Sequence, residues 1–115
     1  MTDSPTPRPA DFVVVLVTVP DDEVANRLTH TLVSEKLAAC VNVLPRVRSV
    51  YAWEGKLCDE VEMLCLLKTR RELLPAVRER VVALHPYQVP EIIALPLVEG
   101  NEAYLAWLRD STRPA

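Results

Sequence analysis

Apolar residues recur with two different periods along this chain, and the switches between them mark its elements. Phe12 to Val19 (FVVVLVTV) is β-branched and apolar nearly throughout. A run this short reads as a central strand buried on both faces. Pro20 ends it. Asp21, Asp22 and Glu23 then place negative charge where a helix N-terminus is positive. Val24, Ala25, Leu28 and Leu32 share one side of an amphipathic helix over about residues 21–36.

Ala38 to Trp53 (AACVNVLPRVRSVYAW) returns to a period of two and predicts a long strand. Pro45 has no N–H for a sheet ladder, so the strand must lie at an edge there or bulge. Glu54-Gly55-Lys56 reads as the tight connection of a hairpin, with the return strand over about Val61 to Thr69. Such a hairpin leaves a long unpaired edge, a hazard that a specific partner can cover. Thr69 and Glu72 are spaced as a capping box, while Pro75 belongs in a first turn, so the second helix is expected to start near Arg71. Leu73, Leu74, Val77, Val81 and Leu84 line its apolar side, and it should end before Pro86. Glu91 to Val98 (EIIALPLV) is a last strand, with Pro96 at an edge position. Gly100 breaks it, Asn101 caps, and Tyr104, Leu105, Trp107 and Leu108 lie on a short terminal helix. The order is β-α-β-β-α-β plus a C-terminal helix, an α+β chain of the ferredoxin-like type.

The chain has 115 residues, enough for one domain with one core. That domain is expected over residues 11–112, between a disordered Pro-rich tail at 1–10 and a short tail at 113–115. Half the residues are apolar, which for a domain this small hints that another chain covers some surface. The net charge of −3 argues against binding nucleic acid or an anionic membrane by bulk charge. Arg70, Arg71, Arg78 and Arg80 are interspersed with Glu72 and Glu79 and read as a solvated helix face. No stretch has the length or flanks of a secretory signal or a membrane span. Cys40, Cys58 and Cys65 therefore read as reduced cytoplasmic thiols.

Several functions housed on this topology fail on their required residues. RNA recognition needs aromatic residues on the central strands for base stacking, and VEMLCLLK has none. A copper-chaperone loop needs two thiolates and a phosphate loop needs close-approach glycines, but the loop after the first strand is Thr18-Val19-Pro20-Asp21-Asp22. No pair of titratable residues has a spacing that assigns an acid and a base, so an enzyme is not expected. His30 lies off the apolar stripe of its helix and should be solvated. His85, at the end of the second helix, has the position of a C-cap, with a ligand role as the alternative.

Six segments together resemble the CutA family of divalent-cation tolerance proteins: TVPDDEVA, LAACVNVLP, SVYAWEGK, EMLCLLKT, HPYQVPEIIALPL and GNEAYLAWL. They run in order between Val13 and Trp107. The resemblance implies a ferredoxin-like domain, a cytoplasmic homotrimer with sheets joined across subunits, and a role in tolerance of copper and other divalent cations. It makes Trp53 a trimer-interface residue, with core packing as the alternative. The best-known bacterial pattern has a cysteine before Thr-x-Pro and two adjacent histidines before Pro-Tyr. Here those positions hold Val17 and Leu84-His85, so His85 is the one metal ligand implied to remain, and a single imidazole does not hold a transition metal selectively. Cys40, Asn42, Lys68, Tyr87 and Glu91 are the family-like residues implied to line, with His85, a cleft between subunits for a metal ion or small anionic metabolite. The second functional reading is a trimeric small-ligand sensor or partner-binding scaffold without a metal role.

Overall fold

The computed structural model describes residues 6–115. Among these, β1 (Phe12–Val19), β2 (Cys40–Trp53), β3 (Lys56–Arg70) and β4 (Ile93–Pro96) form one antiparallel sheet in the order β2-β3-β1-β4. Helices α1 (Asp22–Ser34) and α2 (Leu74–Leu84) follow β1 and β3, and α3 (Glu102–Asp110) comes last. This is the expected α+β order with its additional C-terminal helix. Of the expected tail at 1–10, residues 1–5 lie outside the described residues, and Pro9–Asp11 form one 3-10 turn leading into β1.

Side chains alternate across a strand, and that alternation sets the two layers. Val13, Val15, Val17 and Val19 of β1 and Met63, Cys65 and Leu67 of β3 are buried on one face. There they meet Val24, Ala25, Leu28 and Leu32 of α1 and Val77 and Val81 of α2 in the main core. On the opposite face Phe12 packs with Leu105 and Leu108 of α3 in a smaller cluster at one end of the sheet. The remainder of that face carries Val14, Leu16, Leu64 and Leu66, only half-buried, beside exposed Leu44, Ile93 and Leu95. The expectation of burial on both faces of β1 thus holds for one face of the single chain and not for the other.

Several local signals fold as read. The Asp21 carboxylate accepts the Val24 N–H at 3.0 Å and caps α1. The helix stops at Ser34 rather than residue 36, because Lys36 sits at φ +59°, a left-handed position that cannot continue it. Pro45 satisfies both of its alternatives: β2 is an edge strand, and its register with β3 shifts between Leu44 and Val47. Asn101 caps α3 by accepting the Ala103 N–H at 3.0 Å.

Other elements differ from expectation. β3 begins at Lys56, not near Val61, because Trp53 pairs directly with Lys56 across a two-residue turn. Glu54 at φ +49° and Gly55 at φ +79° give that turn the left-handed backbone that matches strand twist. The capping box at Thr69 does not form. Its buried hydroxyl donates to the Leu37 carbonyl at 2.6 Å, and the chain enters α2 through a 3-10 turn at Arg71–Leu73. β4 is shorter than Glu91 to Val98, since an edge strand holding Pro96 and preceded by Pro90 has few N–H donors to pair. Arg70 is not part of a solvated helix face. Its guanidinium donates to the carbonyls of Arg109 at 2.6 Å and Thr112 at 2.9 Å, and to the Thr112 hydroxyl, closing the C-terminus of α3 onto the sheet. Arg80 is also paired, to Glu35 of the α1 end at 2.8 Å.

Candidate functional site

α2 stops at Leu84 because Pro86 cannot extend it, and His85 becomes its C-cap, its N–H bonded to the Val81 carbonyl. The extended backbone there turns the imidazole inward, to 7 % exposure. Its Nδ1 accepts the Tyr87 N–H at 3.1 Å, which leaves the ring proton on Nε2 to donate to the Thr18 carbonyl at 2.7 Å. His85 therefore ties the segment after α2 to the end of β1. The Tyr87 ring packs on it at 4.6 Å between centroids, and the Tyr87 hydroxyl donates to the Glu62 carboxylate at 2.7 Å.

These links form one side of an open pocket of about 640 Å³ between the hairpin and residues 87–91. β2 contributes Tyr51 and Trp53, β3 contributes Glu60 and Glu62, and the return segment contributes Tyr87 and Glu91. In the hairpin register Ser49 faces Glu60 and Tyr51 faces Cys58, so alternation brings Ser49, Tyr51, Glu60 and Cys58 to one face. The Tyr51 hydroxyl donates to Glu60 at 3.2 Å. Loss of solvent around the ring pushes the Tyr51 phenol up to about 12, with the Glu60 carboxylate adding to the shift. Burial pushes the Tyr87 phenol up as well, assisted by Glu62. Both groups thus stand as neutral donors at physiological pH.

The residues implied for one cleft fall into two groups in a single chain. Cys40 pairs with Lys68 and Asn42 with Leu66, placing Cys40, Asn42 and Lys68 together on the open face of the sheet near α3. The Lys68 ammonium lies 6.0 Å from the centroid of the Tyr104 ring rather than in an ion pair with Glu91. His85, Tyr87 and Glu91 lie at the other end, beside Glu62. Lys68 and Glu62 are six positions apart along β3, roughly 20 Å. Trp53 is 45 % exposed and lines the pocket, which rules out core packing in the single chain. His30 is exposed, as expected.

The donor set within one chain does not fit a copper centre. Both ring nitrogens of His85 are committed to backbone partners, and Val17 is buried in the core. Among the described residues no group of three or more His, Cys, Asp or Glu side chains is arranged to hold a metal ion. Glu62 is the site residue that sequence reading missed. Strand alternation predicts its face, but only the Tyr87 contact, 25 residues away in the chain, shows that it is buried.

The chain is 54 % identical over 99 residues to the divalent-cation tolerance protein CutA of Thermus thermophilus, a match covering 86 % of this chain and 96 % of that protein. It is 54 % identical over 101 residues to the chloroplastic Protein CutA 1 of Oryza sativa, covering 88 % of this chain; there it spans 57 % of the relative's length. The crystal structure of CutA1 from Oryza sativa superposes with a TM-score of 0.88 at 53 % identity, covering 90 % of this chain and 95 % of that one. The family model described as CutA1 divalent ion tolerance protein matches residues 13–111, a stretch that takes in the sheet, all three helices and the pocket, and the chain belongs to that family.

Proposed function

We propose that this chain acts without catalysis, as a cytoplasmic homotrimer, in the tolerance of divalent metal ions. The observation that carries the assembly is the open face of the sheet. Ile93 and Leu95 are each 53 % exposed beside Leu44, Leu64 and Leu66, an apolar surface that a second copy of the chain can cover. The unpaired edge of β2 supports the same reading, because a long edge strand needs a cover. A closed three-fold ring uses two different patches of each subunit, which suits a sheet face and a protruding hairpin. Trp53, near the hairpin tip, is then an interface residue. Light scattering behind a sizing column checks this: a trimer is expected at micromolar concentration, and a monomer overturns it.

Any metal site belongs to the assembled protein in this reading, since the Cys40–Asn42–Lys68 group and the His85–Tyr87–Glu91 group are separated within one chain. Copper or another divalent cation is then held weakly, between subunits. Calorimetry with Cu²⁺ on the wild type and on an Ile93→Glu variant that fails to assemble separates the outcomes. Binding that disappears with assembly is expected; equal binding by the unassembled variant removes the inter-subunit site.

The second reading, a trimeric small-ligand sensor, is favoured by the pocket itself. About 640 Å³ lies within the range of small-molecule sites and far exceeds a bare metal ion.

A further inference from the structure

We propose that Lys68 of one subunit pairs with the buried Glu62 of the next, an ion pair between copies that fixes how their open sheet faces meet. The inference deepens the assembly reading above and rests on it. Alternation along β3 brings Glu62, Leu64, Leu66 and Lys68 to the open face, the carboxylate at one end and the ammonium at the other. The two positions are roughly 20 Å apart, so they do not pair within one chain.

Both ends lack a countercharge in the single chain. Glu62 is only 5 % exposed, and its carboxylate accepts one hydrogen bond, from the neutral Tyr87 hydroxyl. Among the described residues no Lys, Arg or His forms a salt bridge with it. Lys68 is half-buried beside the Tyr104 ring, and among the described residues it pairs with no carboxylate either. Covering the apolar stretch between them removes the remaining water from both ends. A charge withdrawn in that way is costly until an opposite charge meets it.

The open face itself selects the cation. Alternation along β3 puts Lys56, Lys68 and Arg70 on it. Arg70 is spent on Glu72 and on the carbonyls at the end of α3, and Lys56 stands exposed at the hairpin turn. Lys68 adjoins Leu66 and the apolar stretch that a second copy covers. At the Glu62 end, Glu60 and Glu91 add negative charge to a lining that holds no Lys, Arg or His of the same chain. The two ends are therefore complementary in charge. Unlike patches that meet head to tail are also what a closed three-fold ring requires.

A double-mutant cycle tests the pair, read as the urea midpoint of trimer dissociation in light scattering. Lys68→Met and Glu62→Gln are each expected to lower the midpoint, and the double variant to lower it no further than the larger single loss. Because the two positions are too far apart to touch in one chain, such coupling comes from contact between copies. Lys68→Arg, which keeps the charge, is expected to lie closer to the wild type than Lys68→Met. Additive losses overturn the pair and leave the trimer standing. Coupling of Glu62→Gln to Lys56→Met, and not to Lys68→Met, overturns the assignment of Lys68. If Glu62→Gln does not fold, Lys68→Glu decides. Dissociation with native far-ultraviolet circular dichroism is then expected, and an unchanged midpoint overturns the pair. A monomeric wild type overturns both this pair and the assembly reading.

Discussion

Tyr87 and His85 act as a pair at the scale of single residues. The imidazole holds the 85–91 segment to the Thr18 carbonyl, and the phenol holds Glu62. Tyr87→Phe keeps the ring but leaves the Glu62 Oε2 without its donor inside a buried residue. Because hydrogen bonds to charged groups contribute most, a loss of about 1.5–3 kcal/mol is expected in urea unfolding. The two phenols also set an alkaline limit. The folded chain holds the Tyr51 and Tyr87 protons more tightly than the unfolded chain, whose phenols ionise near 10.0. The stability they contribute is therefore complete below that value; the Tyr51 part is lost as pH rises through about 12, and the Tyr87 part at still higher pH. Unfolding midpoints measured across that window should fall, and less steeply in Tyr51→Phe. His85 was legible as a C-cap from the adjacent Pro86. Its inward ring was not, since the carbonyl it meets lies 67 residues away.

The hairpin decides most at the scale of elements. β2 and β3 form the longest pairing in the sheet, and it ends in a turn whose first residue, Glu54, holds a left-handed φ that a non-glycine residue adopts with strain. Glu54→Asn produces the Asn-Gly pair preferred by this turn and should stabilise the protein by about 0.5–1 kcal/mol, read from its unfolding midpoint. A loss of stability would mean that the Glu54 side chain makes a contact across subunits. Pro45 announced its bulge because a missing N–H is a local fact. The capping box at Thr69 misled for the opposite reason. Spacing makes the hydroxyl available to the helix, but a carbonyl on a distant loop competes for it and wins.

The whole molecule is a sheet with one face closed by α1 and α2 and the other closed only at one end, by α3. Ile93→Glu puts a charge on the open face without touching the main core. It should yield a smaller species in light scattering while far-ultraviolet circular dichroism stays native; an unchanged trimer would move the interface elsewhere. The order of elements, the central place of β1, the edge positions of β2 and β4 and the caps at Asp21 and Asn101 were all determined by the sequence alone. Each depends on period, on a proline or on a cap within a few residues. The tertiary structure alone decided that Glu62 is buried, that Arg70 closes α3, and that Cys40 and Lys68 stand apart from Tyr87 and Glu91. Those facts depend on which distant backbone or side-chain atoms a group meets, and no local period encodes that. The candidate site changed with them, from one cleft lined by His85, Cys40, Asn42, Lys68, Tyr87 and Glu91 to two separate groups in the single chain, one of them beside the buried Glu62.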